Sequence, residues 1–338
     1  MHFTALNDTL GRPLKDLRIS VLDRCNLRCT YCMPEESLHG QGVFLPPHHL
    51  LSDGEIEFIV SAFVRLGVHK VRLTGGEPLL RPGFTELVGR LATIEGLTDL
   101  ALTTNAVLLP RHAAALKDAG LGRITVSLDS LDEPVFRQMA GNHGSVTEVL
   151  DGIDAAEQAG FRHLKINTVV QRNVNDHTVV GLVAHFRNSG HTVRLIEFMD
   201  VGNVNHWNRD LVVPSAELLK NIHARWPLKP VAWQAASETA RRYAFEDGGG
   251  EIGFISSITE PFCGDCSRAR ITADGVFYSC LFSAHGTELR DKIRAGLSAD
   301  DLAAEITALW SKRGDRYSEL RSRLPRHQPH VEMYRMGG

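Results

Sequence analysis

Short apolar runs alternate with amphipathic segments through roughly the first 200 residues of the chain. The runs are wholly apolar or alternate with period 2, which indicates strands. The segments between them carry apolar residues three and four positions apart, which indicates helices. The predicted strands cover residues 17–22, 70–74, 99–103, 123–128, 163–170 and 192–197. The predicted helices cover residues 53–66, with Ser52 as N-cap, 83–94, 111–119, 145–159 and 176–188.

Strands that alternate with helices predict right-handed crossovers and a parallel sheet. A closed eight-stranded barrel of such units needs about 250 residues, but the alternation stops near residue 200. We therefore predict an α/β fold built on an incomplete six-unit (β/α) parallel barrel. Ligands in such a fold bind at the carboxyl ends of the strands, where the loops converge.

The pattern changes after residue 200, and we place a domain boundary at residue 230. Residues 1–230 are predicted to form the barrel domain, and residues 231–338 a smaller C-terminal α+β domain that closes the open side. The glycine-rich stretch 248–253 matches a dinucleotide-binding motif by its letters, but strand-like arms flank it, so we predict a hairpin turn. The remaining predicted elements are helices at 215–226, 286–295 and 298–311 and strands at 242–246, 251–256, 270–272 and 276–279.

Composition excludes several classes of function. The 338 residues include 37 Lys and Arg against 40 Asp and Glu, a net charge of −3. This balance leaves no excess of positive charge for a nucleic-acid backbone or an anionic membrane. The chain has no run of about 18 apolar residues, and charges interrupt the N-terminal stretch where a secretion signal would be apolar. We therefore expect a cytoplasmic protein that binds neither nucleic acid nor membrane.

All six cysteines fall into two tight groups. A chain of this length has enough core without disulfides, and a reducing cytosol keeps thiols free, so metal ligation is the natural reason for the grouping. Three thiolates are one too few for a closed zinc site, which would need a fourth ligand such as His39. Four irons on three cysteines would leave one iron open to a small molecule. The groups are the first triad, Cys25, Cys29 and Cys32, and the second triad, Cys263, Cys266 and Cys280.

The first triad resembles the signature of the radical S-adenosylmethionine (SAM) enzymes. It follows the first predicted strand, Tyr31 precedes its third cysteine, and the stretch 74–78 (TGGEP) follows the second strand. The resemblance implies a radical SAM barrel with a 4Fe–4S cluster on this triad, whose open iron binds the methionine end of SAM. It also implies that cleavage of SAM yields a radical that abstracts hydrogen from the substrate.

Five further stretches of the chain are informative together: 23–29 (DRCNLRC), 103–105 (TTN), 126–129 (VSLD), 194–202 (RLIEFMDVG) and 263–270. They resemble the GTP 3',8-cyclases of molybdenum cofactor biosynthesis. The resemblance implies a lyase that converts GTP into (8S)-3',8-cyclo-7,8-dihydroguanosine 5'-triphosphate. It also implies a second 4Fe–4S cluster, on the second triad, that binds the guanine base. Ser267 and Thr125 depart from residues common in that family, and neither departure removes a ligand.

Two alternatives share some of these features. A twin-cluster radical SAM enzyme that modifies a peptide has the same first triad, but usually carries more auxiliary cysteines than the three present here. A zinc-stabilised binding module would be colourless and hold about one or two zinc ions. An anaerobic absorbance spectrum with iron and sulfide assays separates the zinc module from the two iron–sulfur classes.

Four cations lie on predicted strands of the barrel: Arg18, Arg72, Lys165 and Arg194. A charge that points into a barrel is costly unless an anion meets it, and a buried ion pair with a carboxylate is the alternative for any single one. A triphosphate would meet all four. The resemblance implies that GTP is bound by these four with Thr103, Arg268, Ala269 and Arg270. It implies that SAM is bound by Tyr31, Gly76, Ser127 and Met199.

The chain ends in two glycines, Gly337 and Gly338. Termini are commonly disordered, but the resemblance implies that this tail enters the barrel and completes the catalytic site. Glycines pass a substrate there without a Cβ clash. The implied partners are GTP, a reductant protein, the next enzyme of the pathway and a second copy in a homodimer. His327 and His330 receive no role from the sequence.

Overall fold

The computed structural model describes residues 6–38, 44–233, 238–323 and 330–337. Six parallel strands alternate with helices through its first half, as the sequence predicts. The strands are β1 Asp16–Ser20, β2 Lys70–Thr74, β3 Asp99–Thr104, β4 Arg123–Ser127, β5 Lys165–Val170 and β6 Thr192–Glu197. The helices are α1 Asp53–Arg65, α2 Phe84–Ala92, α3 Leu109–Asp118, α4 Glu133–Met139, α5 Val146–Gln158 and α6 Val179–Phe186.

Local chemistry explains where these helices begin. Ser52 caps α1 as predicted: its side chain accepts from the backbone of Glu55, whose carboxylate accepts from Ser52 N in return. Helix α4 escaped the prediction because it has only seven residues, too few for a clear apolar period. Its N-cap Asp132 accepts from Val135 N, and proline stands in its first turn.

The C-terminal half contributes shorter elements. Its strands Arg241–Phe245 (β8) and Glu251–Ile255 (β9) are antiparallel neighbours, and residues 248–250 lie in the turn between them, which confirms the predicted hairpin. The elements are α7 Ser215–Arg225, β7 Leu228–Pro230, β8 Arg241–Phe245, β9 Glu251–Ile255, β10 Arg268–Ile271, β11 Val276–Tyr278, β12 Thr287–Glu288, α8 Arg290–Arg294, α9 Ala299–Ser311, α10 Tyr317–Leu320 and α11 Met333–Met336.

The described strands form one sheet in the order β12-β11-β10-β1-β2-β3-β4-β5-β6-β9-β8-β7. Strand β10 pairs in parallel with β1, and β9 pairs in parallel with β6. The C-terminal region therefore extends both edges of the six-unit barrel instead of building a separate sheet. The boundary at residue 230 stays a prediction, although β7, which lies just before it, pairs with β8 beyond it.

Alternation along the strands separates the core from the barrel interior. On β1, Leu17 and Ile19 are buried in the hydrophobic core between sheet and helices, while Arg18 between them lines an internal cavity. Side chains alternate between the two faces of a strand. The inner face and the loops at the carboxyl ends of the strands are therefore left for polar and cysteine side chains.

Candidate active site

A cavity of about 500 Å³ runs along the inner face of the barrel. It extends from Asp16 and Lys70, near the start of their strands, to Ser127 and Asn105 at the strand ends. Cysteines of both triads line it, and all six are free thiols. In the described part of the chain, no three His, Cys, Asp or Glu side chains are arranged to hold a single metal ion.

The first triad occupies the loop after β1, which is packed tightly against the end of β2. A Cβ at Gly75 would lie 2.3 Å from Leu22 O, and one at Gly76 would lie 2.2 Å from Arg24 O. Gly76 N donates to Leu22 O over 2.7 Å. The glycine pair is thus required for the cysteine loop to reach the strand end. This close backbone approach had no signal in the sequence beyond the pair itself.

Polar groups around the first triad are deeply buried. Burial raises the pKa of the Cys25 thiol to about 11 and that of Cys29 well above its ordinary value. Leu27 N and Asn105 Nδ2 donate to Cys25 Sγ over 3.4 and 3.7 Å. Burial also raises the pKa of Glu77 to about 7, although the carboxylate accepts from Thr104 Oγ1 and Asn105 N. The site is therefore shielded from water and favours a bound cation beside Glu77.

The residues predicted to hold SAM come together on this side of the cavity. Tyr31, Gly76, Ser127 and Met199 all line it. Tyr31 OH donates to Asp129 Oδ2 over 2.7 Å, and burial raises the pKa of that carboxyl to about 6. Asp129 was not predicted as a site residue, although it ends the VSLD stretch.

The four predicted cations all line the cavity. Arg72 Nη1 donates to Thr103 Oγ1 over 3.0 Å and to Thr125 Oγ1 over 2.9 Å. Arg194 Nε donates to Asn167 Oδ1 over 2.9 Å. Among the described residues, no carboxylate forms an ion pair with any of the four, whereas their neighbours Lys70 and Arg123 each have one. Structural ion pairs with described carboxylates therefore do not explain the burial of these four cations.

Burial without an ion pair weakens the charged form of each cation. It lowers the pKa of Arg18 and Arg72 to about 9 and that of Arg194 to about 10. It lowers the pKa of Lys165 to about 7, with repulsion from Arg194 adding to the effect. A polyanion in the cavity would restore the charged forms.

The second triad is electropositive, in contrast to the first. Arg268 Nη2 donates to Cys266 Sγ over 3.3 Å. Although burial disfavours the thiolate, Arg268 and Arg313 lower the pKa of Cys266 to about 6. Burial keeps the pKa of Cys280 high, at about 11. The site therefore stabilises Cys266 as a thiolate, the form that binds metal.

Strand β10 carries the predicted segment 268–270 past this triad. Arg268 and Arg270 line the cavity, but Ala269 is fully buried in the hydrophobic core, paired with Leu17. The contact of Ala269 with GTP stays a prediction, and any such contact uses its main chain, because adjacent residues of a strand face opposite sides.

The described end of the chain lies inside the barrel. Arg270 Nη1 donates to Gly337 O over 2.5 Å and to Met336 O over 3.2 Å. Gly337 has a φ of 70°, and a Cβ there would lie 2.2 Å from Thr74 Cγ2. Only glycine fits this position without strain. Gly338, like His327 and His39, lies outside the described residues.

Two family profiles match the chain: Radical SAM superfamily over residues 19–186 and Molybdenum Cofactor Synthesis C over residues 191–319. The GTP 3',8-cyclase of Xanthomonas axonopodis pv. citri is 54% identical over 333 residues, which cover 98% of this chain and 99% of that protein. The GTP 3',8-cyclase of Acidothermus cellulolyticus is 50% identical, over 94% of this chain and 89% of that protein. The chain belongs to the GTP 3',8-cyclase family.

Solved structures confirm the predicted radical SAM fold for this GTP 3',8-cyclase family member. SuiB of Streptococcus suis, bound to S-adenosylmethionine, matches with a TM-score of 0.60 at 15% identity, over 88% of this chain and 68% of that chain. At this identity the likeness concerns the fold alone. No helix in the described ranges is long and apolar enough to cross a membrane.

Membership of the radical SAM superfamily implies SAM and a 4Fe–4S cluster. The residues present fit both groups. Three free thiols lie at one end of the cavity, which suits a cluster with one open iron. The sulfur of Cys25 already accepts two N–H donors, and the buried Glu77 offers a carboxylate for an ammonium group.

Several residues that line the cavity were not predicted from the sequence. Lys70 lines its far end and is paired with Asp16 at 3.0 Å. Arg12 and Arg313 line it beside the second triad. Lys70 could have been found, since it shares an inward-facing parity with Arg72 on β2. The two arginines have no such signal, because they lie outside the strands and far apart in the sequence.

Proposed function

We propose that the protein converts GTP into (8S)-3',8-cyclo-7,8-dihydroguanosine 5'-triphosphate, the first step of molybdenum cofactor biosynthesis. One observation carries the proposal: a single cavity is lined by both cysteine triads and by buried cations without carboxylate partners among the described residues. Such a cavity offers a radical source at one triad, a second metal site, and an anion-binding wall.

The SAM side is formed by the first triad with Tyr31, Gly76, Ser127 and Met199. Bound there, SAM and its cluster supply the radical that removes a hydrogen atom from the substrate. Glu77 would accept from the ammonium of SAM, and its pKa, which burial raises to about 7, would fall again beside that cation. The buried Tyr31–Asp129 hydrogen bond fixes the wall next to the cysteines and helps to keep water out.

The GTP side is formed by the cationic wall. Arg18, Arg72, Lys165, Arg194 and Arg270 meet the triphosphate, and Thr103 adds a hydroxyl beside Arg72. Guanidinium groups suit bidentate contacts with phosphate oxygens. Arg268 is occupied with Cys266 and holds the substrate near the second triad. These contacts orient the ribose toward the SAM side, where the 3' hydrogen is removed, and place guanine C8 for ring closure.

A second 4Fe–4S cluster on Cys263, Cys266 and Cys280 is part of the proposal. Three free thiols, a thiolate-stabilising arginine and a position on the cavity wall support it. Its open iron would take the guanine base, so that both ends of GTP are fixed. The guanine contact explains why a second triad faces the same cavity as the first.

The tail belongs to the catalytic site in this proposal. Gly337 lies between Arg270 and Thr74, and Gly338 would continue from it. Glu332 fastens the tail to the loop after β6, since its carboxylate accepts from Asn203 N over 3.1 Å and from Asn203 Nδ2 over 2.9 Å. The tail thus links the loop after β6, on the SAM side of the cavity, with Arg270 on the cationic wall.

The remaining partners follow from the chemistry. Cleavage of SAM needs an electron, so a reductant protein must dock, and the cyclic product must pass to the next enzyme of the pathway. A homodimer is expected from the resemblance. A cytoplasmic location suits six free cysteines, which persist in a reducing compartment.

An anaerobic comparison of two variants tests the proposal. Cys25→Ala should abolish both 5'-deoxyadenosine and cyclised nucleotide, because the radical source is lost. Cys280→Ala should lose the cyclised nucleotide but keep some uncoupled 5'-deoxyadenosine. The unsubstituted protein, assayed for iron, sulfide and both products, is the control. Zinc in place of iron, or no product from GTP in the iron-loaded protein, would refute the proposed function.

A further inference from the structure

Two arginines from opposite ends of the chain meet beside the second triad. Arg12 and Arg313 are 2% and 4% exposed, and both line the cavity. Between them lies Asp8, whose Oδ2 is 2.6 Å from Arg12 Nε and 3.2 Å from Arg313 Nη1. We call these three residues the arginine clamp. None of them is needed for the roles assigned to GTP or SAM above.

The clamp holds the backbone of the cysteine loop. Arg12 Nη1 donates to Cys263 O over 2.7 Å, and Arg313 Nη1 donates to Cys266 O over 2.7 Å. Arg12 Nη1 also donates to Asp315 O over 2.8 Å. Two of the three cysteines of the triad therefore have their main-chain carbonyls fixed by a buried guanidinium. Among the described residues, the first triad has one such contact, from Arg28 Nη1 to Cys25 O.

The clamp also has unused donor capacity. Within the described residues, Arg12 Nη2 and Arg313 Nε are buried without a hydrogen-bond partner, although the Asp315 carboxylate lies 3.6 Å from Arg313 Nε. A buried guanidinium donor without a partner is costly. Both side chains border the cavity beside Cys263 and Cys266, so a metal cluster with sulfur acceptors on this triad would supply what these donors lack.

Local hydrogen bonds and the packing of Trp310 hold the clamp residues in place. Asp8 Oδ1 accepts from Leu10 N and Arg12 N, both over 2.9 Å, which folds residues 8–12 into a tight turn that aims Arg12 inward. Trp310 is fully buried beneath Arg313, with the guanidinium 4.5 Å from its ring centre. Trp310 Nε1 donates to Arg12 O over 3.2 Å. The clamp is therefore rigid, as a group that positions a ligand loop should be.

We propose that Arg12 and Arg313 are positioning residues for a metal cluster on the second triad. They fix the loop that presents Cys263 and Cys266, and their spare N–H groups donate to sulfur of the bound cluster. Such donors strengthen retention of the cluster and raise its reduction potential. This inference rests on the second cluster of the proposed function.

The test isolates the second triad in the full chain. Cys25→Ala, Cys29→Ala and Cys32→Ala together remove the first site, and the protein is loaded anaerobically with iron and sulfide. Arg12→Lys and Arg313→Lys are then added separately, and Arg65→Lys serves as control, because Arg65 is a surface residue paired with Asp300 on another helix. Iron loss to a chelator and the midpoint potential are measured.

We expect each clamp variant to lose iron about 10–100 times faster than the control, the usual effect of removing a group that supports a metal ligand. We also expect a lower midpoint potential, by roughly 59 mV for a tenfold change in the one-electron equilibrium. Rates and potentials equal to those of the control would overturn the inference. If the parent with the triple cysteine substitution binds no iron, the second cluster of the proposed function fails, and the inference falls with it.

Asp8→Asn separates positioning from folding. This variant weakens the buried ion pairs but leaves both arginines able to reach the cysteine carbonyls. We expect its melting temperature to fall while its iron loss stays close to that of the parent. The melting temperature of Asp8→Asn is compared with those of the arginine variants. If they are equal and Asp8→Asn loses iron as fast as the arginine variants, the clamp only stabilises the fold and the inference is wrong.

Discussion

Arg72 shows how a single residue reports a missing ligand. Arg72 is 8% exposed, and its guanidinium donates to two threonine hydroxyls. Burying a charge with neutral partners alone costs free energy. The chain therefore keeps Arg72 at a cost to the ligand-free fold, which is expected of a residue retained for binding.

Arg72→Ala should weaken GTP binding by about 1.5–3 kcal/mol, the scale of a hydrogen bond to a charged group. SAM binding should stay nearly unchanged, because Arg72 is not among the residues that we assign to the SAM side of the cavity. Calorimetry on the anaerobic protein measures both. Arg123→Ala is the matched control, since Arg123 already has an ion pair with Asp99. An unchanged GTP affinity in Arg72→Ala would remove this residue from the binding wall.

The lowered pKa of Lys165 should make GTP binding depend on pH. Burial and neighbouring cations lower its pKa to about 7 in the free protein, and a bound triphosphate favours the charged amine. Binding above pH 7 therefore takes up a proton, so GTP affinity should fall as pH rises from 7 to 8, by up to roughly tenfold per pH unit, a range that stays below the pKa of about 9 of Arg18 and Arg72. Titration calorimetry across this range, with Lys165→Met as control, measures the slope. A slope that survives in Lys165→Met would assign the proton to another group.

At the scale of elements, the sequence predicts the six barrel strands well and the short C-terminal strands that extend the sheet less well. Strands β2 and β6 have the predicted bounds, because apolar alternation and flanking turns mark them clearly. The two-residue β12 and three-residue β7 are too short to show a period. The parallel pairing of β10 with β1 joins residues some 250 positions apart, and no local pattern encodes such a register.

The site shows the same division. The triads and the strand cations follow from spacing and parity, so they could be predicted. The burial of the Ala269 side chain within the predicted segment 268–270 follows from strand alternation, which sends its neighbours Arg268 and Arg270 to the cavity. The clamp residues Arg12 and Arg313 depend on long-range packing around Trp310, for which the sequence holds no local sign.

The tail can be tested as an element. Removing Gly337 and Gly338 should suppress formation of the cyclised nucleotide while iron content and melting temperature stay the same, because the tail makes contacts to Arg270 rather than to the core. Gly337→Val should act likewise, since its Cβ would meet Thr74 and its φ of 70° disfavours a branched side chain. Full turnover in both variants would return the tail to the status of a loose end.

At the scale of the whole molecule, one sheet brings two cysteine loops to one cavity. Strand β1 precedes the first triad, and β10, which follows Cys266, pairs with β1. The two loops therefore lie at opposite ends of this strand pair, the first triad beyond the carboxyl end of β1 and Cys266 before the amino end of β10, and both line the same cavity. A substrate held between them by the cationic wall would present its ribose to one side and its base to the other. That arrangement is the central claim.

Transfer of a labelled hydrogen tests this claim most directly. GTP deuterated at the ribose 3' position is incubated anaerobically with SAM, reductant and the loaded protein, and 5'-deoxyadenosine is analysed by mass spectrometry. The geometry predicts that deuterium appears in 5'-deoxyadenosine in step with the cyclised nucleotide. GTP deuterated at guanine C8 should transfer none. Deuterium-free 5'-deoxyadenosine alongside full product from the 3'-labelled substrate would contradict the placement of the ribose against the SAM side.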